Sequence, residues 1–81
     1  MYKKISVVTD TEKYLKFIGD KISEIRKNKG ISQYKLAKQT MMEQSNLARI
    51  EKGQTNPTIK TLLKISDSLE VKLSDFFSED F

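Results

Sequence analysis

The sequence predicts an all-α fold, a compact five-helix bundle with a short N-terminal arm, and three observations lead there. Apolar residues recur at spacings of three and four through most of the chain, the period that lines one face of a helix. Only three glycines and one proline punctuate 81 residues, and most of them fall where those runs stop. Length sets the third limit: a chain this short hides about 60 to 65% of its unfolded surface, enough for one core but not for a deep cavity as well. A single module working through its surface is the expectation.

Residues 1–10 precede any helical period, and the β-branched run Ile5-Ser6-Val7-Val8-Thr9 predicts an arm that is strand-like or loose. From Thr11, with Asp10 as N-cap, Tyr14, Leu15, Phe17, Ile18, Ile22 and Ile25 mark a first helix. Gly30 stops it after Arg26-Lys27-Asn28-Lys29, whose positive charge complements the negative end of the helix dipole. Ser32 caps a second, shorter helix with Tyr34, Leu36, Ala37 and Thr40 on its inner side. After Met41-Met42 a third begins near Glu43, turns Leu47 and Ile50 inward, and ends at Gly53. Asn56-Pro57-Thr58 caps a fourth, whose buried stripe is Ile59, Leu62, Leu63, Ile65 and Leu69; Leu73, Phe76 and Phe77 make a final short turn. The helical domain is thus expected over 11–78, with an acidic tail at 79–81.

Composition excludes much chemistry. With no histidine and no cysteine the chain builds no disulfide, thiolate or imidazole metal site, or histidine-activated nucleophile, so no metal, no cofactor and no enzyme activity are expected. Ser32-Gln33-Tyr34-Lys35 fits the S-x-x-K pattern of serine acyl enzymes, but no supporting motif accompanies it and capping accounts for Ser32. The longest apolar runs are far too short for a membrane span or a signal segment, so a cytoplasmic location is the default. The net charge of +4 is modest but lopsided: residues 1–60 carry 13 basic and 6 acidic side chains, residues 61–81 carry 2 and 5. The basic part is the one expected to meet a polyanion.

The second and third helices meet across a tight turn and form a helix-turn-helix at 33–52. With Leu47 and Ile50 inward, Gln44, Ser45, Ala48 and Arg49 face solvent, with Asn46 and Lys52 beside them. A merely solvated face carries more lysine and glutamate. Glutamine pairs in bidentate fashion with adenine, arginine with guanine, and an alanine methyl meets the thymine methyl, so this face suits base edges.

The stretches Ile18-Gly19-Asp20-Lys21-Ile22-Ser23-Glu24-Ile25-Arg26, Gly30-Ile31-Ser32-Gln33-Tyr34-Lys35-Leu36-Ala37, Leu47-Ala48-Arg49-Ile50-Glu51-Lys52-Gly53 and Asn56-Pro57-Thr58-Ile59-Lys60-Thr61-Leu62 resemble the phage repressor and Cro family of helix-turn-helix regulators over about residues 17–77. The resemblance implies a lambda-repressor-like DNA-binding domain whose third helix enters the major groove of double-stranded DNA, with Gln44, Ser45, Asn46, Ala48 and Arg49 as base readers. It implies phosphate contacts from Gln33, Tyr34, Lys35, Lys52, Gln54, Thr55 and Asn56, and a structural salt bridge between Arg26 and Glu51. Two departures stand out. Met41 occupies a turn position that the family often gives to glycine, and Glu43 is a poorer N-cap than serine, threonine or aspartate.

A helix-turn-helix usually reads two half-sites as a symmetric homodimer, and Phe76, Phe77 and Phe81 exceed what a short terminal helix can hide, so they are expected to supply the dimer interface. The function expected is a dimeric repressor on a palindromic operator. The alternatives are a restriction-modification controller, an antitoxin with a toxin partner, or, more distantly, a protein-binding adaptor.

Overall fold

The computed structural model describes residues 7–78. Four α-helices, α1 (Val7–Asn28), α2 (Gln33–Gln39), α3 (Gln44–Glu51) and α4 (Ile59–Leu69), precede a 3-10 turn at Leu73–Phe76. The fifth helix expected from sequence is therefore this single 3-10 turn. α1 also starts earlier than the β-branched run suggests, so Asp10 lies in its first turn, where its charge complements the helix dipole, and is not the cap. Of the expected arm, residues 1–6 fall outside the described part, as do the tail at 79–81 and Phe81 with it.

Side-chain caps begin the two helices that the sequence marks best. Ser32 Oγ accepts from Lys35 N at 3.0 Å, and Thr58 Oγ1 accepts from Thr61 N at 3.1 Å. This bond occupies the Ser32 hydroxyl in the capping role. Glu43 makes no such bond at the start of α3.

All four helices end in the same way. The last turn closes through paired backbone bonds around one left-handed residue: Gly30, Met41, Gly53 and Glu70, with φ of 71°, 58°, 72° and 59°. At Met41 the bonds are Met41 N to Lys38 O at 3.1 Å and Met42 N to Ala37 O at 2.9 Å. Glycine adopts this backbone without strain and methionine does not. The Met41 side chain is 89% exposed, so removing it uncovers nothing. Met41→Gly is accordingly expected to raise stability by about 0.5–1 kcal/mol, read from urea melts. An unchanged or lower midpoint would place the strain elsewhere.

The core joins Ile18 and Ile22 of α1, Leu36 and Ala37 of α2, Leu47 and Ile50 of α3, Leu62, Ile65 and Leu69 of α4, and Phe76. Three expected core residues lie outside it. Tyr34 is exposed, and Ile59 and Leu63 are 58% and 44% exposed, because the stripe on α4 is centred on Leu62, Ile65, Ser66 and Leu69 and they sit on its shoulder. Phe76 is fully buried, which removes it from the expected dimer interface, whereas Phe77, the next residue, is 46% exposed.

α1 and α3 approach main chain to main chain. A Cβ on Gly19 would lie 2.3 Å from Ile50 O and 2.6 Å from Glu51 O, so only glycine fits there. Gly53 presses on α1 in the same manner: its Cβ would lie 2.7 Å from Lys16 Cα. α3 is thus seated against α1 at both Gly19 and Gly53, and its opposite face is left to solvent.

Candidate functional site

The site is built from a buried ion pair outward. Arg26 projects from the last turn of α1 and Glu51 ends α3; both are buried. Arg26 Nε donates to Glu51 Oε2 at 2.8 Å and Nη2 donates to Oε1 at 3.0 Å, a fork-on-fork pair, while Nη1 donates to Ile31 O at 2.9 Å. The guanidinium therefore ties α1, the α1–α2 loop and α3 together. No buried side-chain nitrogen or oxygen among the described residues lacks a hydrogen-bond partner.

From this pair a chain of hydrogen bonds leads to the surface. Half-buried Gln33, the first residue of α2, donates from Nε2 to Glu51 Oε1 at 3.1 Å. Its Oε1 then accepts from Nε2 of Gln44, the first residue of α3, at 3.3 Å. The carboxylate accepts only, which fixes which end of the Gln33 amide faces it and leaves the carbonyl end for Gln44. An exposed glutamine at a helix N-terminus is thereby held by a buried charge.

The outer face of α3 carries Gln44, Ser45, Asn46 and Arg49 exposed, with Ala48 half-buried beside them. Arg49 Nη2 donates to Asn46 Oδ1 across one turn, so these two side chains act as one polar unit. Around this face lie the other residues singled out by resemblance. Tyr34, Lys35, Lys52, Gln54 and Asn56 are exposed and Thr55 is half-buried. Lys38 sits 5.7 Å from the centre of the Tyr34 ring, which directs its charge to the same side of α2 as that ring. Phe77 is remote from this face and borders a separate groove with Asp10, Lys13, Tyr14 and Phe17.

Two contributors stand outside the residues carried over by resemblance. Lys16 and Lys27 of α1 line a cleft of about 420 Å³ with Gln33, Ala48, Lys52 and Gln54. Three lysines thus border one cleft with Gln33, although Lys16 also pairs with Asp20. Eleven residues apart, Lys16 and Lys27 share one face of α1, but it is the seating of α3 on α1 that brings Lys52 across to them. The second is Gly19, whose only signal was a glycine inside a long helical period.

Among the described residues no helix is long and apolar enough to cross a membrane, and no group of three or more acidic side chains could hold a metal.

A model of the Helix-turn-helix family matches residues 22–76. The HTH-type transcriptional regulator PuuR of Escherichia coli strain K12 is 38% identical over 61 residues, which are 75% of this chain and 33% of that protein. The chain thus spans about a third of that regulator's length. The restriction-modification controller protein C.AhdI from Aeromonas hydrophila has a similar structure, with a TM-score of 0.76 at 30% identity over 78% of this chain and 96% of that one. A second similar structure is the restriction-modification controller protein C.Esp1396I, solved as a tetramer in complex with its natural 35 base-pair operator. It gives a TM-score of 0.72 at 34% identity, covering 79% of this chain and 84% of that one.

Proposed function

The chain belongs to the helix-turn-helix family, and on that premise we propose that it is a sequence-specific DNA-binding transcriptional regulator, a cytoplasmic homodimer that represses by occupying a palindromic operator. α3 lies in the major groove. Gln44, Ser45, Asn46, Ala48 and Arg49 read base edges, and Gln33, Tyr34, Lys35, Lys52, Gln54, Thr55 and Asn56 hold the flanking phosphates, joined by Lys16 and Lys27.

The observation that carries this reading is the chain Arg26, Glu51, Gln33, Gln44. A surface glutamine needs no such support merely to face water. One that must present an amide to an adenine edge gains from having its rotamer chosen beforehand, since ordering a free glutamine costs up to about 2 kcal/mol.

Gln44→Ala is expected to cost about 1–3 kcal/mol at one base pair of each half-site and to relax selection there, measured by selecting bound sites from random DNA. Selection of the parental sites by the variant would remove Gln44 from the readers. In a salt-titrated gel shift, log K should fall by about 0.9 per neutralised phosphate for each tenfold rise in salt. A chain that protects no DNA at low salt would instead be an adaptor.

One observation favours a particular regulator class. Two restriction-modification controllers, C.AhdI and C.Esp1396I, share this chain's fold at 30% and 34% identity. A restriction-modification controller is therefore the second reading, and it too is a DNA-binding regulator. Neighbouring genes for a nuclease and a methyltransferase would decide for it.

A further inference from the structure

Arg49 stands in the last turn of α3, whereas the N-terminal part of a helix seated in the major groove is what meets base edges. An arginine left free in that last turn reaches the phosphates beside the groove. Its partner alters this. Arg49 Nη2 donates to Oδ1 of Asn46, one turn nearer the start of the helix, so the charged head is drawn back along the axis by up to about 4.5 Å. Both side chains are exposed, and among the described residues no carboxylate pairs with Arg49. Neither burial nor an ion pair accounts for the position of the guanidinium, which leaves the Asn46 amide to hold it.

The chemistry of that bond limits what the two residues can read. A guanidinium only donates, so the amide oxygen of Asn46 must face it. Asn46 would need the same oxygen, together with its amide N–H, to grip an adenine, and the bond therefore takes it out of adenine reading. The remaining N–H groups of Arg49 are donors too, and guanine is the base whose major-groove edge offers two acceptors, N7 and O6, side by side. Asn46 also stands on the flank of α3 away from Gln44. It borders a groove with Met42, Thr55 and Asn56, whereas Gln44 leans on Gln33 of α2. The two bonded units address different base pairs. We propose that Asn46 is a positioning residue that commits Arg49 to guanine, so that each half-site holds one guanine chosen by this pair. The inference rests on the DNA-binding reading above and narrows it: within the row of readers, Asn46 acts through Arg49.

The test is selection of bound sites from random DNA by the full chain, followed by affinities for the selected site and for unrelated DNA at one fixed salt concentration. The parent should select guanine at one position per half-site besides the position read by Gln44. Arg49→Ala should abolish that preference. Asn46→Ala should weaken it about tenfold while the Gln44 position stays as it was. Its affinity for unrelated DNA should remain within about twofold of the parent, because the released guanidinium still finds phosphate. Asn46→Asp keeps an acceptor in place and should retain the guanine, while binding all DNA more weakly through its added negative charge. Both positions are exposed, so these variants should fold as the parent does, which circular dichroism verifies. The proposal is overturned if the base that depends on Arg49 is not guanine, or if Asn46→Ala keeps the parental preference. It is overturned equally if Asn46→Ala loses selection at a base pair that Arg49→Ala leaves untouched, or if Asn46→Asp loses the guanine as fully as Asn46→Ala. Each of these results leaves the regulator reading standing. A parent that protects no DNA even at low salt overturns that reading, and this inference with it.

Discussion

Glu51→Ala is expected to remove about 3–5 kcal/mol of folding stability, because it leaves the Arg26 guanidinium buried with one carbonyl, Ile31 O, as its only partner. For a domain of this size that is a large part of a total of about 5–10 kcal/mol, and the thermal midpoint should fall by well over 10 °C. The double variant Arg26→Met/Glu51→Leu tests the cause, since removing both charges together is often neutral where removing one is not. Its melt should recover most of the loss. Its DNA selectivity at the Gln44 base pair should not recover, because Gln33 then has no carboxylate to orient it. A Glu51→Ala protein that loses less than about 1 kcal/mol would show the ion pair to be dispensable. Full recovery of selectivity in the double variant would sever the proposed link from ion pair to reading head.

The second large effect is expected at the other end of the chain. Phe76→Ala should cost about 3–5 kcal/mol, the range for deleting a fully buried phenylalanine, because the ring fills the space between α1, α4 and the 3-10 turn. Phe77→Ala, one residue further and half exposed, should cost under about 1 kcal/mol. Urea melts of the two variants decide whether the C-terminal turn is a plug for the core. A small loss for Phe76→Ala, with Phe77→Ala the more damaging, would reverse the assignment.

That contrast illustrates what the amino-acid order could and could not convey. Ser32, Thr58, Gly30 and Gly53 punctuate the helices by local chemistry, a hydroxyl that caps or a backbone that turns left-handed, and local chemistry is readable from neighbours in sequence. Which of two adjacent phenylalanines points inward depends on how the 3-10 turn is rotated against α1 and α4, and nothing nearby in sequence encodes that. On α4, spacings of three and four admit a broad arc, so Ile59 and Leu63 satisfied the pattern while lying on its edge. Glu70 takes a left-handed backbone as the glycines do, with no residue type to announce it. The proposed site was legible in part for the same reason. The outward face of α3 follows from the inward placement of Leu47 and Ile50, but the cleft with Lys16 and Lys27 exists only because two helices distant in sequence lie together.

The glycine at position 19 bears on how such a protein could acquire a new target. No side chain separates α1 from α3 at that junction, only peptide groups, and peptide groups are identical whatever residues flank them. The seat of α3 is therefore indifferent to what its far side carries. Gln44, Ser45, Ala48 and Arg49 could be exchanged as a cassette, in the laboratory or by descent, and the new residues would inherit the same depth and tilt. Substitution at Gly19 would do the opposite, leaving the address intact while moving the hand that writes it.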